Sequence, residues 1–381
     1  MTVAARDVAR GLPPRLMSLD VYRGFVMFLL MAEVFRFRDV SDALPGNGFW
    51  AFLATQQSHV AWVGCHLHDL IQPSFSFIVG VALPFSIMAR ASKGESRTTM
   101  TMHAFRRALI LVLLGVFLRS IGKTQTNWTF EDTLSQIGLG YGFLFLLGYT
   151  SLRAQWIAFT AILVGYWVFF ALYPLPGPNF DWASIGDKRT WPENLHGFAA
   201  HWNINTNPAW AFDTWFLNLF PREKPFTHNG GGYSTLSFIP TLATMVLGVI
   251  AGGLLKSERS PQYKTGWLLA AGLAGLALGT LFHVTGVCPV VKKIWTPSWV
   301  LFSGGWCFLL LAFCYAVIDM RKVQGWAFVL RVIGMNSIAA YCIVETLRGF
   351  TMGILKTNLG QDFFKFGGDA YEPFFLGLAV M

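Results

Sequence analysis

Charged side chains are scarce in this sequence: Asp, Glu, Lys and Arg make up 13% of its 381 residues, against about 25% in an ordinary soluble domain. That deficit excludes a soluble globular enzyme. With 54% hydrophobic residues the chain is equally far from disorder, which needs low hydrophobicity and high net charge. Strands that alternate apolar and polar residues are lacking too, which argues against an outer-membrane barrel. No basic tract of five or more residues occurs, so the net charge of +9 has no stretch to track a phosphate backbone, and no nucleic-acid partner is expected. Cysteine is sparse. Cys65, Cys288, Cys307, Cys314 and Cys342 are odd in number and show no CxxC spacing, and three sit inside apolar runs where they pack as small hydrophobes. This indicates neither a disulfide framework nor a zinc knuckle.

What is abundant is long apolar runs. Only segments of about 20 mostly apolar residues can cross a bilayer as helices, because there the backbone must satisfy its own hydrogen bonds. Nine such runs are found, approximately Ser18–Phe37, Asp69–Arg90, Arg107–Ile121, Leu134–Leu152, Trp156–Tyr173, Leu236–Leu255, Trp267–Val284, Trp299–Ile318 and Phe328–Leu347. Part of a tenth begins at Tyr371 and stops half a span later at Met381, as in a truncated piece or a helix that ends inside a larger assembly. The expected architecture is all-α: one polytopic transmembrane domain over residues 1–381, with about ten helices and the lipid bilayer as solvent. Basic residues orient it. With a cytoplasmic N-terminus, the inside segments hold 16 of the 29 Lys and Arg. The outside loops hold 13, of which 4 lie in a stretch too long to count. A cleaved signal peptide is the weaker alternative, since Glu33 and Arg36 interrupt the first run and no A-x-A site follows it.

That long stretch, residues 174–233, is rich in Trp, Asn, Pro and Gly, and is too long for a structureless connector, so it is expected to cap the outer face. Its tryptophans, including Trp182, Trp191, Trp202, Trp210 and Trp215, either stack on a sugar ring or anchor the interface. Asn229-Gly230-Gly231-Gly232-Tyr233-Ser234 reads either as a ligand-binding entry to the next helix or as a flexible turn. Gly248-x-x-x-Gly252 and Gly275-x-x-x-Gly279 read as close helix packing.

Ionisable groups inside or at the ends of membrane helices are expensive unless paired, so each is a functional candidate. The densest group lies between the first two runs: Glu33 near the outer end of the first, then His59, His66, His68 and Asp69 leading into the second. Histidine can take a proton from a nucleophile near neutral pH, and a neighbouring carboxylate fixes its tautomer and raises its basicity. Three readings compete. Metal ligation is disfavoured, because residues two apart share no helical face and no HExxH spacing occurs, so no metal is expected. Interfacial anchoring and acid–base catalysis remain.

Motifs now bear on the choice. The run Arg15-Leu16-Met17-Ser18-Leu19-Asp20-Val21-Tyr22-Arg23-Gly24-Phe25, then His59-x-x-Trp62-x-Gly64, then Asp69-Leu70-Ile71-x-Pro73-x-Phe75-x-Phe77-Ile78-x-Gly80-Val81, resembles the heparan-α-glucosaminide N-acetyltransferase family and its bacterial relatives. Ser234-Thr235-Leu236, Leu247-Gly248-x-x-Ala251-Gly252 and Gly334-Met335-Asn336-Ser337-Ile338 look like its later signatures, in order.

The resemblance implies a multi-helix transferase that takes acetyl from cytoplasmic acetyl-CoA and delivers it to an amino sugar across the membrane. A bacterial inner membrane is the setting it implies, and a homodimer the oligomer. His59 matches the family's active-site histidine, as carrier of the acetyl group or as base alone, with Asp69 or Glu33 as its orienting carboxylate. Two positions depart from the pattern: Glu33 stands where the lysosomal member has asparagine, and Gln136 is followed by Ile137 where Gln-Arg is common. For the coenzyme, Arg23, Arg106, Arg107 and Arg331 lie at inner helix ends as phosphate partners or as snorkelling topology residues. Asn336 and Ser337 offer polar contacts inside the bundle. Asp20 and Arg23 could equally form a structural ion pair. Rival readings are a sugar or solute transporter, which the absence of an evident inverted repeat disfavours, and a non-catalytic assembly protein.

Overall fold

The computed structural model describes residues 16–381, all of them helical or irregular, with no strand beyond one isolated bridge between Val63 and Val291. Seven helices are long and apolar enough to cross a membrane, and two shorter apolar ones accompany them, which makes this a polytopic helical membrane protein. The chain divides into two compact units.

The first unit holds Ala61–Gly64 and Gln72–Lys322. Its helices are α4 (Ile71–Ala91), α5 (Arg97–Ser120), α6 (Thr133–Leu147), α7 (Leu152–Ala171), α8 (Pro208–Phe216), α9 (Phe238–Lys256), α10 (Pro261–Val284) and α11 (Pro297–Cys314). Most start at a side-chain cap. Ser96, Asp132, Ser151, Asn207, Ser260 and Thr296 each accept a backbone N–H from the first turn, as helix-start chemistry requires. Helix α9 is apolar all round and is the buried centre of the unit. Its Gly248 lies against the Phe77 carbonyl and its Gly252 against the Val81 carbonyl, so the small-residue spacing does serve close packing, here against α4. Residues 174–233 are folded. Trp202, Ile204 and Ala209 join Trp62, Tyr166, Phe170, Cys288, Val291 and Ile294 in one core at the end of α7. The Tyr166 hydroxyl donates to the Ile294 carbonyl (3.0 Å) and the Trp62 indole to the Trp202 carbonyl (3.1 Å).

The second unit holds Asp20–Val60, Cys65–Ile71 and Val323–Met381. It contains most of α1 (Met17–Met31), α2 (Phe37–Ala43), α3 (Gly48–Gln56), α12 (Phe328–Met335), α13 (Ser337–Leu359) and α14 (Glu372–Val380). Helix α1 lies against α12 at two glycines, since a Cβ on Gly24 would strike the Leu330 carbonyl and one on Gly334 the Asp20 carbonyl. The apolar residues of α14 cover Val34 and Phe35.

Two spans differ from the sequence expectation. The first run does not continue to Phe37 as one helix: α1 ends at Met31, a 3-10 turn covers Ala32–Phe35, and Arg36 takes a left-handed conformation (φ 50) before α2. Gln57 absorbs the break, its amide donating to the Ala32 carbonyl while its oxygen accepts the Phe37 N–H. The run Phe328–Leu347 is cut at Asn336, whose φ and ψ (−118, 25) leave the helix and whose side chain donates to the Val332 carbonyl. Asparagine offers the backbone such local alternatives to helix.

Candidate active site

The 3-10 turn Leu67–Leu70 places Asp69 in the interior, where its side chain is fully buried. A buried carboxylate must be hydrogen-bonded. Asp69 Oδ2 accepts the backbone N–H of Val60 (3.3 Å) and of His66 (3.0 Å), and Oδ1 lies 2.7 Å from His59 Nδ1. Since an ionised carboxylate only accepts, the proton of a neutral His59 sits on Nδ1 and the ring's lone pair on Nε2. The imidazole is 41% exposed. A partly exposed histidine held in one tautomer by a buried acid is suited to accept a proton.

Glu33 pairs elsewhere. Its Oε1 is 3.0 Å from His68 Nε2, and Oε2 is 3.6 Å from the guanidinium of Arg348, which also donates to the Glu33 carbonyl (3.2 Å). The rings of His59 and His68 stand 4.6 Å apart, centre to centre. The structure therefore brings His59, Asp69 and Glu33 together, and divides the two carboxylates between two histidines. Of the two candidates to orient His59, Asp69 is the one that does. His66 belongs to the scaffold, with Nδ1 3.0 Å from the Ser58 carbonyl. His68 stood in the sequence cluster without a partner assigned to it, and Arg348 was missed as a site residue: it lies 315 positions from Glu33, and no local pattern signals that pairing.

The candidate coenzyme residues are dispersed along both units. In the first, Arg106 and Arg107 are exposed on α5, with Arg107 over the Tyr141 ring (5.1 Å). In the second, Arg23 is engaged with Asp20 (3.5 Å) and donates to the Gly334 carbonyl (3.4 Å), so the expected Asp20–Arg23 pair is present. Arg331 lies over the Phe328 ring (5.7 Å). Asn336 is exposed instead of interior, because it marks the helix break, and Ser337 opens α13 half-buried.

Among the tryptophans, Trp202 is fully buried core, which removes it as a sugar platform; Trp215 is 61% exposed. The glycine-rich entry is a closed turn. Asn229 Oδ1 accepts the N–H groups of Gly231 and Tyr233 and its carbonyl accepts that of Gly232, so those donors are spent internally. Gly232 (φ +79) is required there, since a Cβ would strike Ile204 and Trp62.

The first unit carries a buried polar group that sequence reasoning also missed. Asp213 Oδ2 accepts the Thr235 N–H (2.9 Å), and the Gln136 amide donates to the Thr235 carbonyl (3.2 Å). Burial pushes the Asp213 carboxyl up to about 7, against the lowering effect of the Thr235 bond. Burial raises Glu131 likewise, partly offset by Arg119.

The chain is 24% identical to human heparan-alpha-glucosaminide N-acetyltransferase over 89% of its own length and 54% of that protein's. It is 22% identical to the mouse protein of the same name, over 90% and 55%. The chain spans about half the length of the curated relatives it matches. No family model matches it.

Proposed function

We propose that the protein is a transmembrane N-acetyltransferase that moves acetyl from acetyl-CoA to the amino group of a glucosamine-type amino sugar. The carrying observation is the His59–Asp69 pair: a solvent-open imidazole 2.7 Å from a fully buried carboxylate that two backbone N–H groups hold in place. Acetylating an amine needs a base for the amine proton and exclusion of water from the thioester. His59 Nε2 supplies the first. The names of the two relatives support the transferase class and the amino-sugar acceptor.

The donor is cytoplasmic in this reading, the N-terminus is inside, and transfer occurs at the periplasmic face of a bacterial inner membrane. Arg106 and Arg107, exposed on α5, are the proposed partners of the coenzyme's phosphates. The test is thermal stability of the detergent-purified protein with and without acetyl-CoA, because a ligand that binds only the folded state raises stability by mass action. A saturable shift absent with ATP, followed by acetyl transfer to glucosamine that His59→Ala abolishes, is the expected result. No shift and no transfer would overturn the reading and turn the search to solute uptake.

A further inference from the structure

Acetylating an amino sugar near neutral pH is a two-proton problem. The acceptor enters as an ammonium, R–NH3+, and leaves as an amide with one N–H. Two protons must therefore depart from nitrogen: one before attack, to free the lone pair, and one as the C–N bond forms. One of them ends on the leaving thiolate when the C–S bond breaks, and the other goes to water. A single imidazole would have to discharge the first proton before accepting the second.

The structure holds two histidine–carboxylate pairs with rings 4.6 Å apart: His59 with Asp69, and His68 with Glu33. Resting on the function proposed above, we propose that they divide these protons. His68 Nδ1, the nitrogen opposite the one bonded to Glu33, takes the first proton from the bound ammonium. The amine then attacks the thioester carbon, its second proton passes to His59 Nε2, and His59 returns it to the departing thiolate. After the product leaves, His68 gives the proton on Nδ1 to water, while the Nε2 proton stays on the bond to Glu33 and keeps Nδ1 as the basic nitrogen. The two pairs suit different tasks. Asp69 is sealed and fixed by backbone donors, as an orienting group should be, whereas Glu33 is half-open and shared with Arg348. The charged and titratable groups facing His68 are Glu33 from the end of α1, Arg348 from α13 behind it, His59 from the loop and the adjoining Asp69. Neighbouring carboxylates hold a new imidazolium in place, while Arg348 keeps Glu33 from abstracting the proton outright.

The assay compares two acceptors with acetyl-CoA: glucosamine, which is largely an ammonium at neutral pH, and O-methylhydroxylamine, whose nitrogen is already neutral there. His68→Gln is expected to slow glucosamine acetylation by about 100-fold near neutral pH, the ordinary contribution of a general base. The deficit should shrink toward alkaline pH as free amine accumulates, and O-methylhydroxylamine should react at close to the wild-type rate. Glu33→Gln should shift the pH profile the same way by a smaller factor, and it carries the test if His68→Gln lowers the thermal transition. Equal loss on both acceptors at every pH, or no loss on either, would overturn the proposal. Wild-type protein that acetylates neither acceptor would instead overturn the transferase reading on which it rests.

Discussion

Replacing Asp69 by asparagine tests the His59 pair with little change of shape. The direction of the effect follows from the three bonds the carboxylate makes. Oδ2 accepts from the N–H groups of Val60 and His66, so in Asp69→Asn the amide oxygen must occupy that position to keep two buried donors satisfied. The amide NH2 then faces His59 Nδ1, where Oδ1 stood at 2.7 Å. A donor there stabilises the opposite tautomer, with the proton on Nε2 and no lone pair toward the acceptor amine. The analogous wrong-tautomer substitution in a Ser-His-Asp triad lowers turnover by about 10⁴, or about 5 kcal/mol of transition-state stabilisation. Turnover of Asp69→Asn should fall by that order while its thermal transition and acetyl-CoA affinity stay near wild type. Acetyl transfer to glucosamine in detergent, scored beside thermal unfolding of the same preparation, is the assay. A folded Asp69→Asn protein that turns over within about threefold of wild type would refute the tautomer reasoning.

Asp213 should make stability fall as pH rises. Its folded carboxyl titrates at about 7 against an ordinary 3.8, so between those values the folded state holds a proton that the unfolded chain has lost. The stability present at low pH is then lost as pH climbs through 7, by about 4 kcal/mol at most. Asp213→Asn should flatten the slope of thermal stability against pH, and an unchanged slope would exclude Asp213 as its source. Gly248→Ala should destabilise by about 1–3 kcal/mol, because the added methyl meets the backbone of α4, whereas Gly253→Ala, which faces open space, should not. Equal unfolding temperatures for the two would argue against the α4–α9 contact. Arg106→Gln with Arg107→Gln should weaken acetyl-CoA affinity by about tenfold if they hold its phosphates, read from the ligand dependence of thermal stability. Unchanged affinity would locate the phosphates elsewhere.

The membrane character of the chain was legible because long apolar runs follow directly from the bilayer's demand on the backbone. The runs from Asp69 to Ile318 match observed helices, some lengthened at polar ends that hydropathy alone trims, as with Arg97–Ser120. The breaks at Arg36 and Asn336 were not legible from hydropathy, because Gln57 lies outside the first run and the Asn336 side chain turns back to the Val332 carbonyl within its own. Gln57 stabilises the first from 20 residues away along the chain, and the charges of Glu33 and Arg36 within the run do not by themselves mark where the helix ends. The site shows the same division. His59 and Asp69 sit ten residues apart, within reach of a local reading, and they pair as expected. Glu33 was offered as the alternative to Asp69, and in the fold it lies beside His68, in the 3-10 turn that follows α1. Trp202 looked like the other loop tryptophans in sequence and differs from them only in tertiary burial.

The strap formed by Ala61–Gly64 has a consequence for biogenesis. Gly64 N–H donates to the Val290 carbonyl, Val63 bridges to Val291, and Lys293 donates to the Ala61 carbonyl across 232 residues. During synthesis these partners emerge only after α4 through α10 have been made, so the stretch that follows His59 in the chain gains its anchor late. Contacts so distant along the chain form slowly, after local helices. A nascent chain arrested before residue 288 would carry every residue of the His59–Asp69 pair while Ala61–Gly64 still lacked its partners. Quality control that samples such intermediates would meet residues 61–64 before their partners exist.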